Sequence, residues 1–443
     1  MSADNNLNDP LIYVRALHFA ATIAATGVVW FIAFIGEPAF RDAKQDTGVT
    51  KLVRNRFAWI AWIGLLAAVL SGIPWLVLTA ESMSGQPLSE LSSQGVLWTV
   101  LSQTDFGRDW LLRFIMACVL GVLFVRFLSA EGMRSLWLKA VTVILAAAFV
   151  GSLAWAGHAI GGRGVEGLLH PAADVLHLIA AAAWAGALVP LALLLTMTRV
   201  DAASLTAART ATLHFSTLGI VSVATILFTG IVNTCYLAGS IPALVGTDYG
   251  HLLLIKIALF LGMVGIAGIN WLRLTPRLIQ NADVVAAQNA RRQLSCNATV
   301  EAIMSAAIIA IVAVLGTLPP ASHAHHHAAS GAIPADATFQ HIHGENGMAD
   351  VMIEPGRVGN ANATIRLWNN DLETLDAREV TVTLTAPTAG KPTTRVASQD
   401  SDGAWHVVGI ELTEPGNWMV TVRAVLSSGG RLDLEAPIVI NAN

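Results

Sequence analysis

The sequence predicts an α-helical polytopic membrane protein of about eight transmembrane helices in two similar four-helix halves, followed by a C-terminal all-β sandwich domain. Three observations carry that prediction. The chain has 443 residues, of which 54% are hydrophobic and only 13% charged, against about 25% charged in soluble domains. Eight apolar runs are long enough to cross a hydrocarbon layer roughly 30 Å thick. After Pro319-Pro320 the composition changes abruptly to ordinary polarity.

The apolar runs lie near 11 to 35, 57 to 79, 108 to 128, 136 to 157, 172 to 198, 214 to 237, 251 to 272 and 298 to 318. The first is too long for a signal-peptide core and lacks a basic leader and a small-residue cleavage site, so it reads as a retained helix. Basic residues mark alternate loops: Arg41, Lys44, Lys51, Arg54 and Arg56, then Arg126, Arg134 and Lys139, then Arg199 and Arg209, then Arg273, Arg277, Arg291 and Arg292. Those loops are assigned to the cytoplasm, which puts both termini on the outer, extracytoplasmic side. The net charge of -4 comes without any basic stripe, so no nucleic acid partner is expected and the lipid bilayer is the main surroundings.

Residues 1–157 and 158–318 repeat the same local words in the same order. Leu17-His18 near the start of a span matches Leu176-His177. Phe57 with Gly72 matches Phe215 with Gly230. Thr104-Asp105-Phe106-Gly107 followed by Arg113 matches Thr247-Asp248-Tyr249-Gly250 followed by Lys256. An even number of helices per half predicts a parallel duplication, whose interface is a natural place for a site. Residues 319–335 form a His-rich linker, and 336–443 contain short Val-, Ile- and Thr-rich segments separated by Gly, Pro and Asn-Asp turns, the pattern of a small periplasmic sandwich.

Polar side chains within spans are costly and usually face a partner or a cavity. On the predicted topology His18, His158, His170, His177 and His251 all fall on the outer side, and His18 and His177 occupy equivalent places in the two halves. Imidazole suits copper, zinc, iron and nickel, and no carboxylate set favours magnesium or calcium. The linker residues His323, His325, His326 and His327 add a composition typical of metal affinity. Further on, His341 and His343 share a face of an extended segment, with Met348 and Met352 close behind; thioether beside imidazole favours Cu(I). Arg113 and Lys256 read as cations snorkelling to the headgroups. Arg15 and Asp174 each precede the paired histidines by three residues and are expected to meet across the half-half interface. Glu301, inside the last span, needs a partner in the bundle.

These residues carry a resemblance. Arg15-Ala16-Leu17-His18, Asp174-Val175-Leu176-His177 with Trp184-Ala185-Gly186, and Thr247-Asp248-Tyr249-Gly250 with Lys256 resemble the copper resistance protein D (CopD) family over the membrane region. The tail from His341-Ile342-His343 through Met348-Ala349-Asp350-Val351 resembles an extracytoplasmic β-sandwich related to CopC and FixH-like modules. The resemblance implies copper handling at the bacterial inner membrane, moving periplasmic copper inward with a CopC-like periplasmic chaperone. The chain departs from members in which a CopC-like domain precedes the membrane part, because only about ten polar residues precede the first span. No P-loop, GxSxG, HExxH or CxxCH motif is present, so an enzyme is not expected. The leading expectation is copper transport or delivery through an outer histidine site in which His18, His177 and His158 converge. The alternatives are a haem-binding membrane electron carrier, with histidines as axial ligands, and a non-transporting copper chaperone for oxidase assembly.

Overall fold

The computed structural model describes residues 9–43, 48–84, 96–129, 132, 135–156, 166–197, 202–238, 240–280, 284–318, 334, 336–344, 347–369, 374–387, 392–400 and 403–442. The chain divides into two compact units, 1–324 and 325–443.

The first unit is helical. Its elements are α1 (Pro10–Phe31), a π-helical turn (Ile32–Gly36), α2 (Glu37–Asp42), α3 (Gly48–Ser84), α4 (Val96–Gln103), α5 (Asp105–Phe127) and α6 (Leu136–Gly151), which ends in a 3-10 turn (Ser152–Ala156). Then come α7 (Glu166–Met197), α8 (Ala202–Ala238), α9 (Ile241–Gly246), α10 (Asp248–Ile269), a second π-helical turn (Asn270–Leu274), α11 (Thr275–Gln280) and α12 (Val284–Leu315). Among the described residues eight helices are long and apolar enough to cross a membrane, each overlapping one of the predicted runs. They extend past the apolar cores because their ends are polar turns that continue the helix: α3 begins before Arg54 and α12 before Arg291 and Arg292. Exposed Leu, Ile, Val, Phe and Trp side chains cover the outside of the bundle, Trp59, Val122 and Phe228 among them, as lipid requires.

Helix α1 is the most enclosed span. It packs on α3, α6, α7 and α12. It meets α7 where Gly27 faces Gly186; a Cβ on either would fall on backbone atoms of the other helix. Small residues allow such close crossings where lipid leaves no hydrophobic force to draw helices together. Gly27 and Gly186 are spaced from His18 and His177 alike, so the two halves meet through equivalent surfaces.

The short helices α4 and α9 were not foreseen. Each ends where a threonine caps the next span: Thr104 accepts from Gly107 N–H and Thr247 from Gly250 N–H, both at 3.0 Å. These side-chain acceptors satisfy backbone donors left open by the first turn. Both glycines lie against backbone of the preceding short helix, leaving no room for a Cβ. The repeated Thr-Asp-aromatic-Gly word is thus a capped corner.

The second unit is a sandwich of two antiparallel sheets with orders β1-β2-β3-β7-β6 and β5-β4-β8-β9, where β1 is Thr338–Gly344, β2 Gly347–Glu354, β3 Gly359–Trp368, β4 Ala377–Thr385, β5 Thr393–Val396, β6 Ser398–Gln399, β7 Trp405–Leu412, β8 Gly416–Leu426 and β9 Arg431–Ile440. Alternating residues such as Val351, Ile365, Val382, Val407, Val420 and Leu434 fill its core.

Candidate metal-handling site

His18 is 5% exposed and is held from both ring nitrogens. Ser71 Oγ donates to the Ala67 carbonyl at 2.6 Å, so at 3.1 Å it accepts from Nδ1–H of His18. Arg113 can only donate, so at 2.8 Å its Nη2 occupies the Nε2 lone pair. The network therefore assigns a neutral imidazole carrying its proton on Nδ1. The ring leans on Trp75, with centroids 4.8 Å apart, and rests over Gly72, where a Cβ would stand 3.6 Å from Cε1. Trp110 Nε1 donates to the Gly72 carbonyl at 2.8 Å, closing the pocket.

Arg113 does not snorkel. It is 4% exposed and donates to the Phe149 carbonyl at 3.0 Å and to Ser152 Oγ at 2.7 Å, with its guanidinium 5.0 Å over the Phe149 ring. Two acceptors at the end of α6, together with His18, outweigh the pull of the headgroups. Asp109, one turn earlier on α5, supplies the electrostatic counter-charge.

The second half repeats the arrangement. Thr229 Oγ1 donates to the Thr225 carbonyl at 2.7 Å and so accepts from Nδ1–H of His177 at 3.0 Å. A Cβ on Gly230 would likewise stand 3.6 Å from His177 Cε1. Lys256 takes the place of Arg113 and acts electrostatically on both His177 and Asp174. Among the described residues no hydrogen-bond partner occupies Nε2 of His177. The position matching Trp75 holds Asn233, which donates to Asp174 Oδ1 at 3.2 Å.

The expected pairing of Arg15 with Asp174 is not formed. Arg15 donates to the Gly316 carbonyl at 2.7 Å, beyond the end of α12, while Asp174 serves Asn233 and Lys256. A backbone carbonyl left open at a helix end accepts a cation readily, and the acid finds a nearer cation in its own half.

The other predicted ligands that the structure describes have partners of their own. His170 stacks on Tyr236, with centroids 4.8 Å apart. His251 donates from Nε2 to the Val245 carbonyl at 2.8 Å. His158 and the linker residues His323, His325, His326 and His327 lie outside the described residues. His18 is held by α3 and α5, and His177 by α8; the two share no hydrogen-bond partner. Among the described residues no three His, Cys, Asp or Glu side chains gather as a metal cluster.

In the sandwich, the backbone of His343 pairs with Met348 and that of His341 with Asp350; the side chains of both histidines are outside the described set. Met348, Asp350 and Met352 alternate with the core residues Ala349, Val351 and Ile353, so the methionines lie on the face away from the sandwich core. Met348 is nonetheless only 5% exposed. Asp350 accepts from Trp368 Nε1 at 3.1 Å on the same face, and Met352 pairs with Phe339 rather than with a histidine.

Sequence reasoning found the histidines and cations but missed Ser71 and Thr229, which fix the tautomers. The signal was available: each hydroxyl immediately precedes a glycine of the repeat, Gly72 or Gly230.

Eight spans, a duplicated histidine pocket backed by a hydroxyl and a cation, and a C-terminal sandwich define a multi-pass membrane protein with an internal repeat. The family model for the Copper resistance protein D-like N-terminal domain matches residues 6–168, and that for Copper resistance protein D matches residues 209–315. The chain is 32% identical to the Copper resistance protein D of Pseudomonas syringae pv. tomato, over 71% of its own length and 98% of the relative's. It therefore belongs to the copper resistance protein D family. It is also 33% identical to Inner membrane protein YebZ of Escherichia coli (strain K12), over 51% of this chain and 72% of that one. With Copper transport protein CutJ of Bacillus subtilis (strain 168) it shares 23% identity over 98% of this chain and 75% of that one.

Proposed function

We propose that this chain is a copper carrier of the bacterial inner membrane, not an enzyme, taking copper from the periplasm through the imidazoles of its two halves. The observation that carries the reading is the shared tautomer: at His18 and His177 a hydroxyl accepts from Nδ1–H, fixes the ring and leaves Nε2 as the atom that can bind a metal, as the far ring nitrogen of a metal-binding histidine is usually held. The names of the relatives supply the metal, and imidazole accepts copper well. His177 takes the ion first, because its Nε2 carries no guanidinium. At His18 the Arg113 guanidinium stands where a metal would bind and must swing away, keeping Phe149 and Ser152 as its acceptors.

Copper reaches these sites from a CopC-like periplasmic chaperone or from the chain's own extramembrane collectors, the His-rich linker and the face of β2 bearing Met348 beside the His343 backbone. His158, His170 and His251 are auxiliary ligands on this reading. The test is copper uptake into sealed inside-out and right-side-out vesicles. The His18→Ala, His177→Ala double variant is expected to lose at least about tenfold in uptake, the usual scale for disrupting a metal site. Undiminished uptake overturns the proposal. Copper bound through the histidines but never accumulated makes the protein a delivery factor instead.

A further inference from the structure

A second polar station lies in the other part of the second half, away from the histidines. Glu301 sits inside α12 and is 1% exposed. One carboxyl oxygen accepts from Asn270 Nδ2 at 2.9 Å. Asn270 opens the second π-helical turn, and its own Oδ1 accepts from Asn297 Nδ2 at 2.6 Å, so the amide is fixed with its donor toward the acid. A π turn on a membrane helix commonly marks a functional position. The other oxygen, Oε2, is buried without any hydrogen-bond partner among the described residues.

That oxygen belongs to a residue lining a cavity of about 290 Å³ between α7, α8, α10 and α12. Among the described lining residues Glu301 is the only titratable side chain. The hydroxyls there have spent their protons: Thr212 donates to the Ala208 carbonyl at 2.8 Å, Ser216 to Thr212 at 2.9 Å and Thr275 to Asn270 at 2.9 Å. With its proton spent, each hydroxyl can serve its surroundings only as an acceptor. Trp184 adds one buried indole N–H with no acceptor among the described residues. A carboxyl group in such a place, with one neutral amide donor, is too costly to leave without a cation or a proton.

We propose that the Glu301 cavity binds an exchangeable monovalent cation, a proton or Na⁺, with Oε2 as its anchor, the Thr212, Ser216 and Thr275 hydroxyls as further oxygen donors, and Trp184 N–H hydrogen-bonded to a water carried by the ion. The site goes beyond the copper reading and does not depend on it, since neither histidine pocket shares a residue with it. A carrier that moves one cation would use such a site for the counter-ion.

Dicyclohexylcarbodiimide adds the O–H of a carboxylic acid across one of its C=N bonds and marks protonated carboxyls in apolar surroundings. The full chain in detergent and sodium-free buffer is treated with it, and the modified peptide is mapped by mass spectrometry. Labelling at Glu301, absent from Glu301→Gln, is expected. Protection by added NaCl identifies Na⁺, and labelling indifferent to NaCl identifies the proton. Infrared spectroscopy of the same protein gives a second measure, a carboxylic C=O stretch missing from Glu301→Gln. No label at Glu301 together with no such band overturns the proposal, and neither readout requires copper or a working histidine site.

Discussion

The crossing of α1 and α7 offers the sharpest test of the architecture. In Gly27→Ala the new methyl would fall on Cα and the carbonyl carbon of Gly186. Neither atom can rotate away, so the helices must part along their whole shared face. Overpacking a tight interior costs about 1–3 kcal/mol when side chains can adjust; with backbone on the far side, the loss belongs at or above the top of that range, about 3 kcal/mol. Gly186→Ala meets Gly27 Cα and the Ile23 carbonyl and should cost about the same. The double variant should cost less than the two losses added, because helices already separated for one methyl accept the second more easily. Gly265→Ala, where a Cβ meets nothing within 4 Å, is the control and should be neutral or gain up to about 1 kcal/mol from its better helix propensity. Stability is read from dodecyl sulfate titration in mixed micelles, followed by tryptophan fluorescence. Gly27→Ala unfolding within about 0.5 kcal/mol of the wild type would refute the reasoning, that figure being the scatter of ordinary surface substitutions.

Two other perturbations follow from the geometry. Thr104→Ala and Thr247→Ala each remove an N-cap acceptor and should each lower stability by about 1 kcal/mol in the same titration, with Ser in either place recovering most of it. Arg54 holds Glu37 at 3.0 Å in a largely buried pair; Arg54→Leu strands the acid and should cost about 3–5 kcal/mol, whereas adding Glu37→Gln should restore part of that, and a double variant no more stable than the single would show the pair to be incidental.

The eight spans were legible because an apolar run of about twenty residues has few other uses, and the repeat was legible because the same corner and pocket words recur. What the words meant was less visible. The Thr-Asp-aromatic-Gly motif could be read as a span opening, but not as a cap seated on α4 or α9, because those helices have only 8 and 6 residues and no apolar period to announce them. Arg113 reads from sequence like any cation near a span end. Its inward turn depends on the Phe149 carbonyl and Ser152, which lie 36 and 39 residues away. Arg15 and Asp174 are matched in sequence, yet equivalence under the repeat says only that two residues occupy like places, not that they meet. Residues that meet across the repeat are those on the crossing itself, Gly27 and Gly186. Glu301 was legible as a residue in need of a partner, and Asn270 meets that need at one of its two oxygens; the cavity beside it comes from packing and leaves no trace in the sequence.

A crossing at which each helix presents the same glycine to the other is the contact a symmetric dimer would make, with one surface patch serving as both donor and receiver. In two separate identical subunits every change would appear twice, and the paired pockets would have to stay alike. Joined in a single chain, the copies are free to differ: Arg113 against Lys256, and Trp75 against Asn233. One pocket sets Trp75 and Arg113 against its imidazole, the other holds Asn233 and Lys256 in their places. Fusion thus lets one chain hold two unlike pockets where two identical subunits would have to repeat the same one.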